Sequence, residues 1–243
     1  MDTDEPSLRQ PSNTSYRILA LLEVIICSDY PTQLAVGATF AALGRGPYRA
    51  GGALSIGYVA GVSVADTVLL VALILLFLYS HRESPRAVFL GNRPVVREIA
   101  IGVPLTLFAM AIGVAVLVTI QKLAPSLHTV EKNPLQALLR SPRDTWLFVL
   151  VVIVAGGVRE ELQRAFLLHR FEDWLGGGAV GVVVTSAAFG AGHLLQGADA
   201  AIATGLLGAF WGIVYLWRRS VVGPMVSHAG FDLLQIVGFL AAR

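Results

Sequence analysis

The sequence is poor in charge. Only 14% of its 243 residues are Asp, Glu, Lys or Arg, against about 25% in an ordinary soluble domain. With 55% hydrophobic residues and a mean hydropathy of +0.69, a disordered chain is excluded and a soluble globule is disfavoured. Basic excess is also lacking. The 18 Lys and Arg against 16 Asp and Glu leave +2 and no basic stripe, so nucleic acid is not an expected partner. A single cysteine, Cys27, rules out an intramolecular disulfide framework. No segment repeats at a fixed period, and none is of low complexity. The acidic, polar N-terminus lacks the basic start and short apolar core of a cleaved signal peptide, so the first apolar run is expected to stay as an anchor.

Long apolar runs fill the rest. A helix needs about 20 mostly apolar residues to cross a bilayer, and such runs lie at 17–43, 53–80, 99–120, from 145, at 175–195, 200–217 and 220–242. The pattern predicts an all-α, polytopic transmembrane helical bundle of seven spans, or eight if the first run breaks at Pro31. The chain divides into three regions: a polar tail over 1–15, plain apolar spans over 16–140, and a region over 145–243 that keeps polar groups at membrane depth. The distribution of Lys and Arg among the loops favours, by a small margin, an N-terminus inside the cell; a multi-pass protein of this kind is expected in the plasma membrane, the inner one if it is bacterial.

A charge at the bilayer centre costs about 2.5–3.5 kcal/mol on insertion scales, so those retained there face the bundle interior or a water-filled cavity. Three segments hold most of them. The first contains Arg159, Glu160, Glu161 and Arg164; Glu160 and Arg164, four apart, share a helix face, while Glu161 points about 100° away. The second contains Phe189 and His193, followed by Gln196 and Asp199. The third places His228 and Asp232 on one face, where a carboxylate can orient an imidazole. Taken singly, each reads equally well as an ion pair, a helix cap or an inter-helix hydrogen bond. Together, two histidines and several carboxylates on successive spans form an inventory for activating water. Glu23, Asp29 and Asp66 are weaker candidates, for which a hydrogen-bonded structural role is favoured over a proton relay. His169 is expected at the water boundary, His81 and His128 in loops, Cys27 as an inert thiol and Gly176-Gly177-Gly178 as a turn.

At these three segments the chain resembles the CPBP (CAAX prenyl protease and bacteriocin-processing, or Abi) intramembrane proteases. Their motifs are Glu-Glu-x-x-x-Arg, Phe-x-x-x-His and His-x-x-x-Asn. Phe189 and His193 match the second, with Ser186 upstream; His228 and Asp232 match the third with an acid in place of Asn. The approach Gly223-Pro224-Met225-Val226-Ser227 is also similar, and the resemblance covers about 145–234. The first motif departs from the pattern. Aligned on Arg164, Arg159 replaces the first Glu and Glu160 takes the second position; this is the preferred frame. Aligned on the Glu pair, Ala165 stands where Arg belongs.

The resemblance implies hydrolysis of a peptide bond in a membrane-associated protein or peptide. Glu160 or Glu161 would take a proton from water, Arg164 would hold Glu160 and Asp232 would orient His228. His193 and His228 would either donate to the oxyanion or, with Glu160, hold a divalent ion such as zinc. Arg164 and Phe189 would give structural support. Two other classes remain open: an impaired scaffold or immunity protein, favoured by Arg159, and a proton-coupled transporter built on Asp66, Glu160 and Asp232, against which no inverted repeat is seen.

Overall fold

The computed structural model describes residues 13–49 and 51–242. The expected polar tail over 1–15 therefore falls almost wholly outside the described residues.

The first apolar run forms α1 (Asn13–Ile26) and α2 (Tyr30–Ala42), which meet at a 44° bend. The break falls at Ser28 and Asp29, where Asp29 takes φ +79°, a left-handed conformation that Asp tolerates better than most residues. Pro31 lies in the first turn of α2, where its missing N–H has no intrahelical partner to lose. Ser55 then caps α3 (Ile56–Ser80) by accepting a hydrogen bond from the Tyr58 N–H. After the short α4 (Pro85–Phe89), α5 (Val95–Leu123) begins four residues before the expected run, so Pro104 stands inside it rather than near its start. Two 3-10 turns, Pro125–Leu127 and Pro134–Leu138, shape the polar connection after α5.

Ser141 caps α6 (Pro142–Val151), which continues without interruption through a π-helical stretch, Val152–Glu160, into α7 (Glu161–Trp174). Then come α8 (Gly178–Gly192), α9 (Ala198–Arg218) and α10 (Val222–Ala241). Among the described residues there is no strand, only an isolated bridge between Tyr48 and Leu54.

The all-α architecture is as expected, but the span count is lower. Four helices, α3, α5, α9 and α10, are long and apolar enough to cross a membrane, or five if α1 and α2 make one bent span. The other expected runs exist as helices. However, α8 has 15 residues, about 22 Å against a hydrocarbon core of about 30 Å. The α6–α7 helix turns from apolar to charged halfway along.

The most extensive packing joins α5 to α10 and α8 to α9. Close approach of α8 and α9 needs Gly190, where an added Cβ would lie 2.7 Å from the Ala201 carbonyl oxygen. Outward faces are apolar, as a lipid solvent requires: Val68, Leu107, Val183 and Ile213 are each more than half exposed. Charges go inward. Glu23, Asp66, Glu98, Arg159, Glu161, Arg164 and Arg170 are all buried, each with an ionic partner. Glu23 is one of these structural pairs, accepting from Arg170 Nε at 2.5 Å and meeting His81 Nε2 at 2.6 Å.

Candidate active site

The site is built where the π-helical stretch meets α10. Gly156 and Gly157 remove the side chains that would hold the two apart. A Cβ on Gly157 would come within 2.8 Å of the Ala229 Cβ, and one on Gly156 within 2.8 Å of Asp232 Oδ2. The wider π turn also shifts the register of α7 behind it. π-bulges of this kind concentrate at functional sites. Arg159, Glu160 and Glu161 leave its end in three directions.

Glu161 turns inward and is 1% exposed. Its Oε1 accepts a hydrogen bond from the Arg164 guanidinium and lies 2.8 Å from His228 Nδ1. Regular helical spacing lets Arg164 reach Glu160 four residues back or Glu161 three residues back; the structure puts it on Glu161. Arg164 also lies 4.8 Å above the Phe189 ring.

Glu160 turns to a cavity of about 590 Å³, whose walls include His193, His228 and Asp232 but not Glu161. Its Oε2 is 3.8 Å from His228 Nε2, and its Oε1 accepts from Arg159 Nη2 at 3.1 Å.

His228 is fixed on three sides. Its ring stacks on Trp211 at 3.9 Å, and Trp211 is itself held by donating from Nε1 to Ser227 Oγ at 3.0 Å. A carboxylate only accepts, so Nδ1 carries the hydrogen toward Glu161 and Nε2 faces the cavity. Asp232 Oδ2 is 3.9 Å from that Nε2. The expected orienting role of Asp232 thus falls geometrically to Glu161, which has the short contact. His193 sits at the C-terminal end of α8, with Nδ1 2.8 Å from the Phe189 carbonyl oxygen and its ring 4.8 Å from that of Phe189. A carbonyl also only accepts, so His193 likewise presents Nε2.

Glu160, His193, His228 and Asp232 are therefore brought together around one cavity, with Glu161 and Arg164 behind its wall. Arg159 also borders the cavity, and its guanidinium turns toward α1–α2 and α3, where it meets Asp29 and Asp66. Those two acids are visible in the sequence as charges at depth; their shared partner is not. Trp211 carries no sequence signal, being an ordinary residue of an apolar helix, and Ser227 is marked only as part of the approach to the third motif.

The fit of a metal is limited. Both histidines have Nδ1 engaged and Nε2 free, the arrangement ligating histidines adopt. However, among the described residues, the only trio of His, Cys, Asp or Glu ligand atoms all within 4.8 Å of one another is Glu83, His169 and Asp173, remote from the cavity. Even there the carboxylates face opposite nitrogens, Glu83 at 3.4 Å from Nε2 and Asp173 at 3.5 Å from Nδ1. That geometry sets the ring between two carboxylates rather than gathering three ligands on one ion.

Residues 142–234 match the family model described as type II CAAX prenyl endopeptidase Rce1-like. The match begins at the first residue of α6 and extends past Asp232, so it contains every residue placed at the cavity above. No curated protein and no solved structure matches the chain.

Proposed function

We propose that this integral membrane protein, Rce1-like over residues 142–234, is an intramembrane endopeptidase that uses Glu160 to activate water. The observation that carries the reading is the pairing of Glu160 Oε2 with the Nε2 of His228, 3.8 Å apart, on the wall of a cavity lined by the helices and by the 121–141 connection. Glu160 and Glu161 then fill both acidic positions of the family's first motif. Arg164 serves from three residues after Glu161, and Arg159 lies outside the motif. The contact of Arg164 with Glu161 supports this frame over the one aligned on Arg164.

In this mechanism a water held by Glu160 gives it a proton and attacks the scissile carbonyl. His228, carrying a proton on Nε2 and paired at Nδ1 with Glu161, donates to the oxyanion, and His193, whose Nδ1–H is held by the Phe189 carbonyl, adds a second donor only in its doubly protonated form. Asp232 stabilises the charge on His228. As the C–N bond breaks, Glu160 returns its proton to the leaving amine, and the new carboxyl end departs with the water oxygen. The family description names prenylated CAAX chains, and a prenylated C-terminal peptide is the first substrate to test. A divalent ion on Glu160, His193 and His228 is the second reading, supported by the free Nε2 atoms alone; zinc is the ion such ligands favour.

The test is cleavage of a quenched-fluorescent prenylated peptide by the protein in liposomes. Glu160→Gln is expected to lower kcat by about 10²–10⁴-fold, with large losses for His193→Ala and His228→Ala. If all three cleave like wild type, the site is misassigned. Metal analysis of the same sample, with activity after chelation, decides the second reading.

A further inference from the structure

Arg159 is 5% exposed, yet its guanidinium meets three carboxylates from three parts of the chain. Nη1 donates to Asp29 Oδ1 at 2.8 Å and to Asp66, and Nη2 donates to Glu160 Oε1 at 3.1 Å. Nε turns back to the Ala155 carbonyl oxygen at 3.4 Å, inside the π-helical stretch. All the polar groups of this side chain are thus engaged, and only one of them faces the cavity acid.

The two acids behind it differ. Asp29 sits in the α1–α2 break, is 17% exposed, and has a second partner in Gln33, which donates to Oδ2 at 2.5 Å. Asp66 is 1% exposed, and its Oδ1 has no hydrogen-bond partner among the described residues. Among the described residues Arg159 is the cation paired with Asp66. A buried guanidinium in a fixed fork is well suited to hold several carboxylates in a defined geometry.

We propose that Arg159 is a positioning residue: pinned from behind by Asp29 and Asp66, it fixes the Glu160 carboxylate toward His228 and ties the α1–α2 break to the catalytic helix. The same break is docked at two further points. Gln163 Nε2 donates to the Cys27 carbonyl oxygen at 2.9 Å, and Tyr30 Oη donates to the Ala188 carbonyl oxygen at 2.6 Å. Ala188 directly precedes Phe189. The broken first span, which lies outside the family-matched region, thereby becomes part of the active-site support. The proposal rests on the peptidase reading of Glu160.

The experiment compares Arg159→Gln with the double variant Arg159→Gln/Asp66→Asn, by thermal unfolding and by peptide cleavage in liposomes. Arg159→Gln leaves Asp66 as an uncompensated buried charge and is expected to lower Tm. The double variant removes that charge and is expected to recover most of the loss. Turnover should not recover, since Glu160 still lacks its anchor: kcat stays down by about 100-fold, with KM within about twofold of wild type, as expected when only the reacting group is misplaced. Recovery of both Tm and kcat would overturn the proposal and leave Arg159 a structural ion. Wild-type kcat in Arg159→Gln would overturn it too. A wild-type protein that cleaves no peptide would instead defeat the peptidase reading, and the positioning role with it, a result separable from either of those.

Discussion

Two adjacent glutamates do opposite work. Glu160 borders open space, so its loss costs reactivity and little packing. Glu161 is enclosed with Arg164 and His228, and removing one partner of a buried ion pair leaves the other charge uncompensated, at about 3–5 kcal/mol. Glu161→Gln is therefore expected to lower stability by that order, measured by denaturant unfolding in detergent, whereas Glu160→Gln unfolds near the wild-type midpoint while losing turnover. Equal destabilisation by both would contradict the division of roles. The sequence marks both acids and both histidines because carboxylates and imidazoles at membrane depth are few. It does not say which acid faces His228. That choice depends on side-chain direction at the end of a π turn, and regular α spacing allows Arg164 either glutamate.

Elements owe their placement to small residues and loop clasps that a span-by-span reading passes over. The glycine pair at 156 and 157 is such a case: in the sequence it is a minor interruption of an apolar run, and in three dimensions it is the contact between the acid-bearing helix and α10. Gly157→Val is expected to force the helices apart, since a Cβ there already comes within 2.8 Å of the Ala229 Cβ. Overpacking of this kind costs about 1–3 kcal/mol, and the larger effect should fall on kcat as Glu160 leaves His228. A Gly157→Val protein with full kcat would show that the contact does not set the site.

The α3–α4 connection is clasped to α7 by Glu83, which receives Arg170 Nη1 at 2.8 and 2.7 Å on its two oxygens and lies 3.4 Å from His169 Nε2. Burial alone pushes the Glu83 carboxyl up, but hydrogen bonds from His169 and Arg170 outweigh it and hold it below its ordinary value of 4.5. A carboxyl held low when folded contributes stability above its unfolded value, lost as the pH falls through the folded one. Glu83→Gln should thus lower Tm at neutral pH, and the gap to wild type should close as the pH is brought below 4.5. A gap that widens on acidification would reverse the sign of the argument.

At the scale of the whole molecule, hydropathy alone makes the membrane and the helices legible, since a bilayer allows few other solutions. The polar residues that gather at one cavity belong mostly to 145–243. Hydropathy does not give the span count, which depends on breaks such as Asp29 and on the short α8. Nor does it reveal how the first run meets the last four, because Arg159 reaches Asp29 across 130 positions. If α1–α2 acts as one bent span and α6–α7 and α8 also reach both surfaces, the connections 43–55 and 121–141 lie on one side and 81–94 and 174–178 on the other. The cavity wall includes His128, Val130 and Glu131 of the 121–141 connection, and His128 Nδ1 clasps Asp199 Oδ2 at 2.7 Å, so the cavity approaches that side. Cys27 is 0% exposed and should stay unlabelled, so cysteines can be introduced into the otherwise native chain. With the N-terminus inside, Glu131→Cys is expected to react with a membrane-impermeant maleimide in intact cells, and Asp173→Cys only after the membrane is opened. The reverse pattern would invert the orientation while keeping the alternation of the connections. Labelling of both from the same side would mean that α6–α7 does not cross, and Glu160 would then have to be reached from a single aqueous face.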